Sequence, residues 1–349
     1  MIWSYILKRL LLMIPTLFGI LLITFVIIQF VPGGPVEQMV SQLKGRDSGG
    51  AEASSARSDS NYRGRQGVDA KRIEEIKKLY GFDKPAPERF MQMLVQFLHF
   101  DLGQSFFHNK PVGQLILEKL PVSMSLGLWT FFLVYLISIP LGIAKAVRAG
   151  TPFDTVTTFV ILLGYAIPSF VMGVVLLVCF AGGSFVQWFP LRGLTSIQWD
   201  EWGSWEKITD YLWHIVLPVT AMVAGGFAVI TVMTKNAVLE EIGKQYVLTA
   251  RAKGVAEKDV MYRHVFRNAL IPIMTGFPAA FVGAFFSGSL LIETLFSLDG
   301  LGLLSYESVM RRDYPVVMGS LFLFTLIGLM TTLLRDLCYL WVDPRVSFR

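Results

Sequence analysis

Apolar runs long enough to cross a lipid bilayer constrain this chain more than any other feature. A spanning helix needs about 20 predominantly apolar residues. Stretches that qualify, or nearly so, are residues 10–31, 122–144, 156–181, 211–234, 271–292 and 315–334, the last extending to 342. In hydrocarbon the backbone must satisfy its own polar groups, so such runs fold as helices. The expected fold class is therefore an all-α polytopic membrane protein with six transmembrane helices. Composition agrees: 53% of the 349 residues are hydrophobic and 16% charged, against about 25% charged in soluble domains. The run at 211–234 is the weakest, because it contains Pro218, Gly225 and Gly226. The N-terminal run is too long for a signal-peptide core of roughly 7–15 residues and no small-residue cleavage site follows it. It is read as a retained span.

Short loops rich in Lys and Arg stay on the cytoplasmic side. Lys8, Arg9, Lys145, Arg148, Lys235, Lys244, Arg251, Lys253, Lys258, Arg263, Arg267, Arg335, Arg345 and Arg349 fall on one side of the six runs. The short loops on the other side hold Arg192, Lys207, Arg311 and Arg312. Both termini are thus expected inside, with residues 1–31 forming the N-terminus and first span and 343–349 a cytoplasmic tail. Residues 32–121 form a large extracytoplasmic insert, whose part 45–67 is Gly/Ser-rich and reads as a flexible linker. Beyond it, Asp69 is placed to cap a helix over 70–80. A second helix is expected after "KPAPER", with Phe90, Leu94, Phe97 and Leu98 at helical spacing. The insert reads equally as a cap packed on the membrane domain or as a docking surface for a delivery protein.

No Asp, Glu, Lys or Arg lies deep in any run, so no group is evident for coupling to a proton or sodium gradient. His214 and Glu293 sit near the ends of runs. No phosphate-binding Gly-x-x-x-x-Gly-Lys-[Ser/Thr] loop, His-Glu-x-x-His or Cys-x-x-Cys occurs. The chain carries no catalytic constellation and no metal set, and if it transports, the energy is expected to enter elsewhere. Cys179 and Cys338 read as small apolar packing residues. The net charge of +5 follows from loop placement and does not call for nucleic acid.

The longest cytoplasmic stretch, 235–270, reads as two short helices. The first is expected over 238–253, with Leu239, Ile242, Tyr246 and Ala250 on one side. Gly254 is placed as its left-handed C-terminal residue, where a side chain would be penalised, and Lys253 suits the dipole at its end. The second starts near Ala256, with Glu257 and Asp259 in its first turn. Small residues at Thr249, Ala250 and Ala252 allow another backbone to come close, and Tyr246 and Val247 would otherwise meet water. Such a helix suits a groove in a partner. Gly164, Pro168, Gly225 and Gly226 are expected to interrupt two spans, either bending them near a path or letting them pack closely.

"Y-V-x-T-A-R-A-K-G" followed by "H-x-x-R-N-A-L-x-P" resembles the coupling loop of binding-protein-dependent ABC transporter permeases of the dipeptide/oligopeptide class. "PGGP", "GYAIPSF", "LLIETLFSLDGLG", "RRDYPVVMG" and "VDPR" look like further landmarks of that class, so the resemblance covers nearly the whole chain. It implies the type I ABC importer fold, with a periplasmic insert between helices 1 and 2 and a type-1 transmembrane domain over 122–342. It also implies that Tyr246, Thr249, Ala250, Arg251, Lys253 and Gly254 form the loop that docks on a cytoplasmic ABC ATPase. Leu248, Thr249 and Ala250 stand where the wider importer pattern has Glu-Ala-Ala, so a salt bridge from that Glu does not carry over. The implied partners are a second homologous permease subunit, the ATPase, a periplasmic substrate-binding protein, peptide and the lipid bilayer. ATP and Mg would be bound by the ATPase, with no cofactor in this chain. The insert and "SLGLWTFFLVYLISIPLGI" look most like permeases of microcin C and peptide importers, which implies oligopeptides and microcin C-like peptides as cargo. A membrane scaffold or receptor without transport is the reading from another class. A neighbouring second permease and a P-loop ATPase would favour transport.

Reporter fusions test the orientation. A fusion after Gly67 should report outside and one after Gly254 inside; an inside signal at Gly67 would overturn the orientation.

Overall fold

A computed structural model describes residues 2–30, 84–183, 185–286 and 288–342. The linker at 45–67, the expected helix at 70–80 and the tail at 343–349 lie outside the described residues. The helices are α1 (Ile2–Phe30), α2 (Ala86–Leu98), α3 (Val112–Val147), α4 (Pro152–Ala166), α5 (Ser169–Phe180), α6 (Ser204–Ile242), α7 (Gln245–Ala252), α8 (Glu257–Asp259), α9 (Arg267–Ala269), α10 (Ile271–Phe286), α11 (Leu290–Leu295), α12 (Leu301–Met310) and α13 (Tyr314–Val342). A π-helix over Val260–Phe266 joins α8 to α9. No β-strand occurs among the described residues beyond one isolated bridge, Gln104 to Pro111.

Five helical stretches are long and apolar enough to span a membrane: Ser4–Phe30, Val112–Val147, Ser204–Ile242, Ile271–Leu295 and Tyr314–Cys338. The sixth expected span, 156–181, is a broken pair, α4 and α5, bent by 96°. The break follows from "AIPS". The ring of Pro168 pushes Ile167 out of the helical region, and Ile167 is extended at φ −88 and ψ 119. Pro168 also lacks the N–H that would continue the ladder.

The expected interruption at Gly225 and Gly226 is absent. Both lie, with Pro218, inside the 39-residue helix α6. Membrane helices tolerate these residues where neighbours re-satisfy freed backbone groups. Gly164 likewise lies within α4. The chain forms two compact units, one of Met1–Arg9, Glu118–Leu304 and Ile327–Arg349, the other of Leu10–Leu117 and Ser305–Leu326.

In the first unit, Leu126 and Val134 of α3, Leu177 of α5, Ala221 and Val223 of α6 and Ile292 of α11 belong to one buried cluster. Bilayer tails are as apolar as Leu, so close backbone approach does much of the packing. At Gly142 an added Cβ would lie 2.6 Å from Thr234 Cβ and 2.7 Å from the Thr231 carbonyl oxygen, which brings α3 against α6. Elsewhere large apolar side chains face outward, among them Ile14, Leu136, Phe159 and Val160, where a bilayer would cover them. Cys179 and Cys338 are both free thiols.

Glu293 is fully buried in this unit. Its carboxyl oxygens accept from Ser123 Oγ at 3.0 Å, Ser289 N–H at 3.2 Å and Leu303 N–H at 2.7 Å. Ser123 Oγ in turn accepts the Leu301 N–H at 2.8 Å. One side chain therefore holds α3, α11 and α12 together.

In the second unit, α2 follows Pro85, and its apolar stripe buries Phe90 and Phe97 while Leu98 stays exposed. Phe90 meets Phe18 and Phe25 of α1 at ring distances of 5.7 and 5.1 Å. Phe97 meets Phe322 of α13 at 4.9 Å. Buried Asp313 accepts the Ser105 hydroxyl and the Phe106 N–H.

Glu293→Gln should destabilise the protein. An amide presents only one acceptor oxygen, so at least one buried donor is orphaned, at about 1–3 kcal/mol. Thermal unfolding in detergent should shift downward, and an unchanged midpoint would refute the tie.

Candidate functional site

The long helix α6 ends at Ile242, eight residues past its apolar run. The single helix expected over 238–253 is two. Gly243 is costly to hold in a helix interior, and Lys244 is extended at φ −76 and ψ 148. The chain turns there and restarts as α7.

Two residues of α7 point back into the protein. Val247 is fully buried and Ala250 is 7% exposed. They pack with Ala146 of α3, Val238 of α6, Val260 and Val265 of the π-helix and Ala269 of α9. This corrects the expectation that Ala250 lies open to a partner and that Val247 needs one for cover. The opposite face carries exposed Leu248, Thr249, Ala252 and Lys253. Leu248 is 54% exposed, an apolar side chain at the tip of a basic loop.

Tyr246 is fixed by a polar network. Its hydroxyl donates to the Glu241 carboxyl and accepts from Asn268 Nδ2 at 2.9 Å. Burial, then the Glu241 bond, pushes the phenol above its ordinary value, so it remains a donor at neutral pH. Lys244 also grips Glu241, and that bond raises the Lys244 ammonium. Glu241 and Asn268 were not legible as site residues, since each looks like an ordinary polar residue of a basic loop. Tyr246 at five residues beyond a glutamate that closes an apolar run was the available signal.

Gly254 ends α7 as expected, at φ +77. Its N–H donates to the Arg251 carbonyl at 3.0 Å and the Val255 N–H to the Ala250 carbonyl at 3.3 Å, the paired bonds of a Schellman stop. An added Cβ at Gly254 would meet nothing within 4 Å, so the demand is on backbone conformation alone. Across this turn the Arg251 guanidinium clasps Glu257 with two bonds, at 3.0 and 2.6 Å. That pairing holds the Glu257 carboxyl below its ordinary range. A depressed folded value means the contribution is present at neutral pH and is lost only as pH falls below the usual carboxylate range. α7 and the segment that follows are thus held at a set angle from both sides.

The four candidate packing residues separate by geometry. A Cβ at Gly164 would lie 3.0 Å from the Ala224 carbonyl oxygen, and one at Gly226 2.8 Å from Val134 Cγ2. A Cβ at Gly225 would meet nothing within 4 Å. Pro168 sits at the 96° break. Close packing therefore accounts for Gly164 and Gly226, while Pro168 makes the bend. Among the described residues no group of His, Cys, Asp or Glu is placed to hold a metal ion.

The model of the family described as "Binding-protein-dependent transport system inner membrane component" matches residues 138–348, which include the 235–270 loop and all four packing residues. The chain is similar to the peptidoglycan transport system permease protein YejB of Agrobacterium fabrum, with 53% identity covering 99% of this chain and 98% of that protein. It is 52% identical to the inner membrane ABC transporter permease protein YejB of Escherichia coli O157:H7, over 99% of both. It is 31% identical to the dipeptide transport system permease protein DppB of Escherichia coli K12, again over 99% of both.

Gly254→Val should loosen the loop, because a β-branched residue in the left-handed region costs roughly 1–2 kcal/mol. Gly254→Asn, which tolerates that region, should not, as limited proteolysis of the loop will show. Gly226→Leu should lower the yield of folded protein and Gly225→Leu leave it unchanged. Equal yields would mean that α6 does not pack on α3 at Gly226.

Proposed function

This chain belongs to the binding-protein-dependent transport system inner membrane components, and from that premise we propose that it is the permease subunit of an ATP-driven importer of peptides, lining half of the translocation path. The observation that carries this reading is the docking helix α7, anchored by Val247 and Ala250 on one side and presenting Leu248, Thr249 and Ala252 on the other. A short helix so held has an exposed face free for a partner's groove. The loop's basic residues favour the cytoplasmic side, where an ABC ATPase would meet it.

The family implies an ATPase, a substrate-binding protein and a second permease as partners. The curated relatives are themselves permease subunits, and hydrolysis belongs to the ATPase, which binds ATP and Mg. This chain carries no phosphate loop of its own. Tyr246, Thr249, Arg251, Lys253 and Gly254 shape the docking loop, and Ala250 seats it. Both termini are read as inside and residues 32–121 as facing the periplasm, there forming a cap on the membrane domain or a surface for the binding protein.

Cargo is read from the relatives' names, which specify peptidoglycan in one case and dipeptides in another. The shared chemistry is a short peptide. We extend it to oligopeptides, peptidoglycan-derived peptides and microcin C-like peptides.

Uptake of labelled peptides, peptidoglycan fragments and microcin C, compared in cells with and without the chain, tests the reading. Loss of uptake that the restored gene reverses is expected; uptake unaffected by deletion of the chain would sink it. Leu248→Arg should leave the protein in the membrane while abolishing co-purification with the ATPase. Ala250→Arg should instead disrupt the loop's own core.

A further inference from the structure

Beside the docking loop the first unit buries a cluster of charges that the reading above does not use. Lys145, near the end of α3, is fully buried. Its ammonium donates to the Asp154 carbonyl at 2.7 Å, Thr157 Oγ1 at 2.7 Å and Thr158 Oγ1 at 2.6 Å, and lies 2.9 Å from the Asp154 carboxyl. Lys235 of α6 reaches both Asp154 carboxyl oxygens, at 2.8 and 2.7 Å. The Gly150 N–H donates to the same carboxyl at 3.2 Å. Two cations from α3 and α6 thus converge on one acid of α4. Buried charges are tolerated where pairing and hydrogen bonds compensate them, and removing one partner strands the other.

The position of the cluster gives it meaning. The apolar core that seats α7 draws Ala146 from α3 and Val238 from α6. Lys145 is the residue before Ala146, and Lys235 lies one turn before Val238. α4 contributes no residue to that core. The charge cluster therefore ties α4 directly to the two helix ends that hold the docking helix. α4 in turn leads through the Pro168 break into α5.

We propose that Asp154 is a positioning residue for transport: with Lys145 and Lys235 it forms a strut that carries displacement of the docking helix to the bent pair α4–α5. The proposal rests on α7 being the ATPase-docking element. Apolar contacts at this end could slide, whereas a carboxyl held by two ammonium groups keeps one register between α3, α4 and α6. Thr157 and Thr158 extend the grip by a further turn of α4.

The test uses the complete transporter with its ATPase and binding protein, reconstituted in lipid vesicles, and measures peptide imported per ATP hydrolysed. Asp154→Asn should leave the ATPase bound and hydrolysing while the ratio falls by about fivefold or more, the lower end of typical coupling between sites. Lys235→Met is the gentler variant, since it cuts the tie to α6 but leaves Lys145 and Asp154 as a balanced pair. It should lower the ratio too, and Lys235→Arg should restore it. A merely structural cluster would reduce the amount of assembled complex and leave the ratio intact. A wild-type ratio in assembled Lys235→Met transporter would overturn the strut. Failure of Lys235→Met to assemble would also overturn it, because the cluster would then be an element of folding. ATPase that binds and couples normally to a transporter with Leu248→Arg would instead refute the docking assignment, a separate failure.

Discussion

Lipid gives helices no reason to bury leucine against leucine, because the tails outside are as apolar as the side chains inside. What holds this chain's spans is close approach and a small number of buried polar ties. Gly142 admits Thr231 and Thr234, and Gly226 admits Val134. Glu293 draws together α3, α11 and α12 through Ser123, Ser289 and Leu303. Asp154 does the same for α3, α4 and α6. Both carboxylates sit near helix ends, and the polar side chains buried further along the spans, such as Ser138 and Thr231, are uncharged. Such ties are strong in a medium of low dielectric constant, and for the same reason they fail together when one member is lost.

The loop over 235–270 obeys different physics. It lies beyond the apolar runs, and there water restores a drive to bury Val247, Val260 and Val265. The result is a small soluble-type core at the end of a membrane protein. Its polar boundary is set by Tyr246 with Glu241 and Asn268 on one flank and by Arg251 with Glu257 on the other. α7 is only eight residues long, too short to persist alone in water. Its shape is supplied by these anchors and by the Schellman stop at Gly254. The exposed face of α7, with Leu248, Thr249 and Ala252, is therefore already formed within the chain.

Much of this was readable from residue order. The apolar runs mark the spans, the left-handed Gly254 and the helix start at Ala256 follow from local chemistry, and the α2 stripe follows from the spacing of Phe90 and Phe97. The failures have physical causes. The interruption expected in 156–181 is found at Pro168, but apolar order alone does not give the size of the bend. Gly225 and Gly226 read as breakers because helix propensities come from water, and in a packed bundle α6 continues through them. Lys145, Lys235 and Asp154 lie just past the ends of runs, where the inside rule already accounts for cations and a single acid attracts no notice. Their convergence depends on which helices are neighbours, and one-dimensional order does not contain that.

The π-helix between α8 and α9 alters what the segment can absorb. Its turns run from residue i to i+5, so Val260–Phe266 accommodates more residues per turn than the α-helix beside it. Losing one residue from α7 would rotate everything beyond it by about 100° and turn Val247 and Ala250 away from their core. Losing one from the π segment converts wide turns to ordinary ones and keeps the flanking faces in register. The loop thus places a π segment next to an anchored α-helix. A one-residue change in length within Val260–Phe266 is thereby taken up without unseating α7.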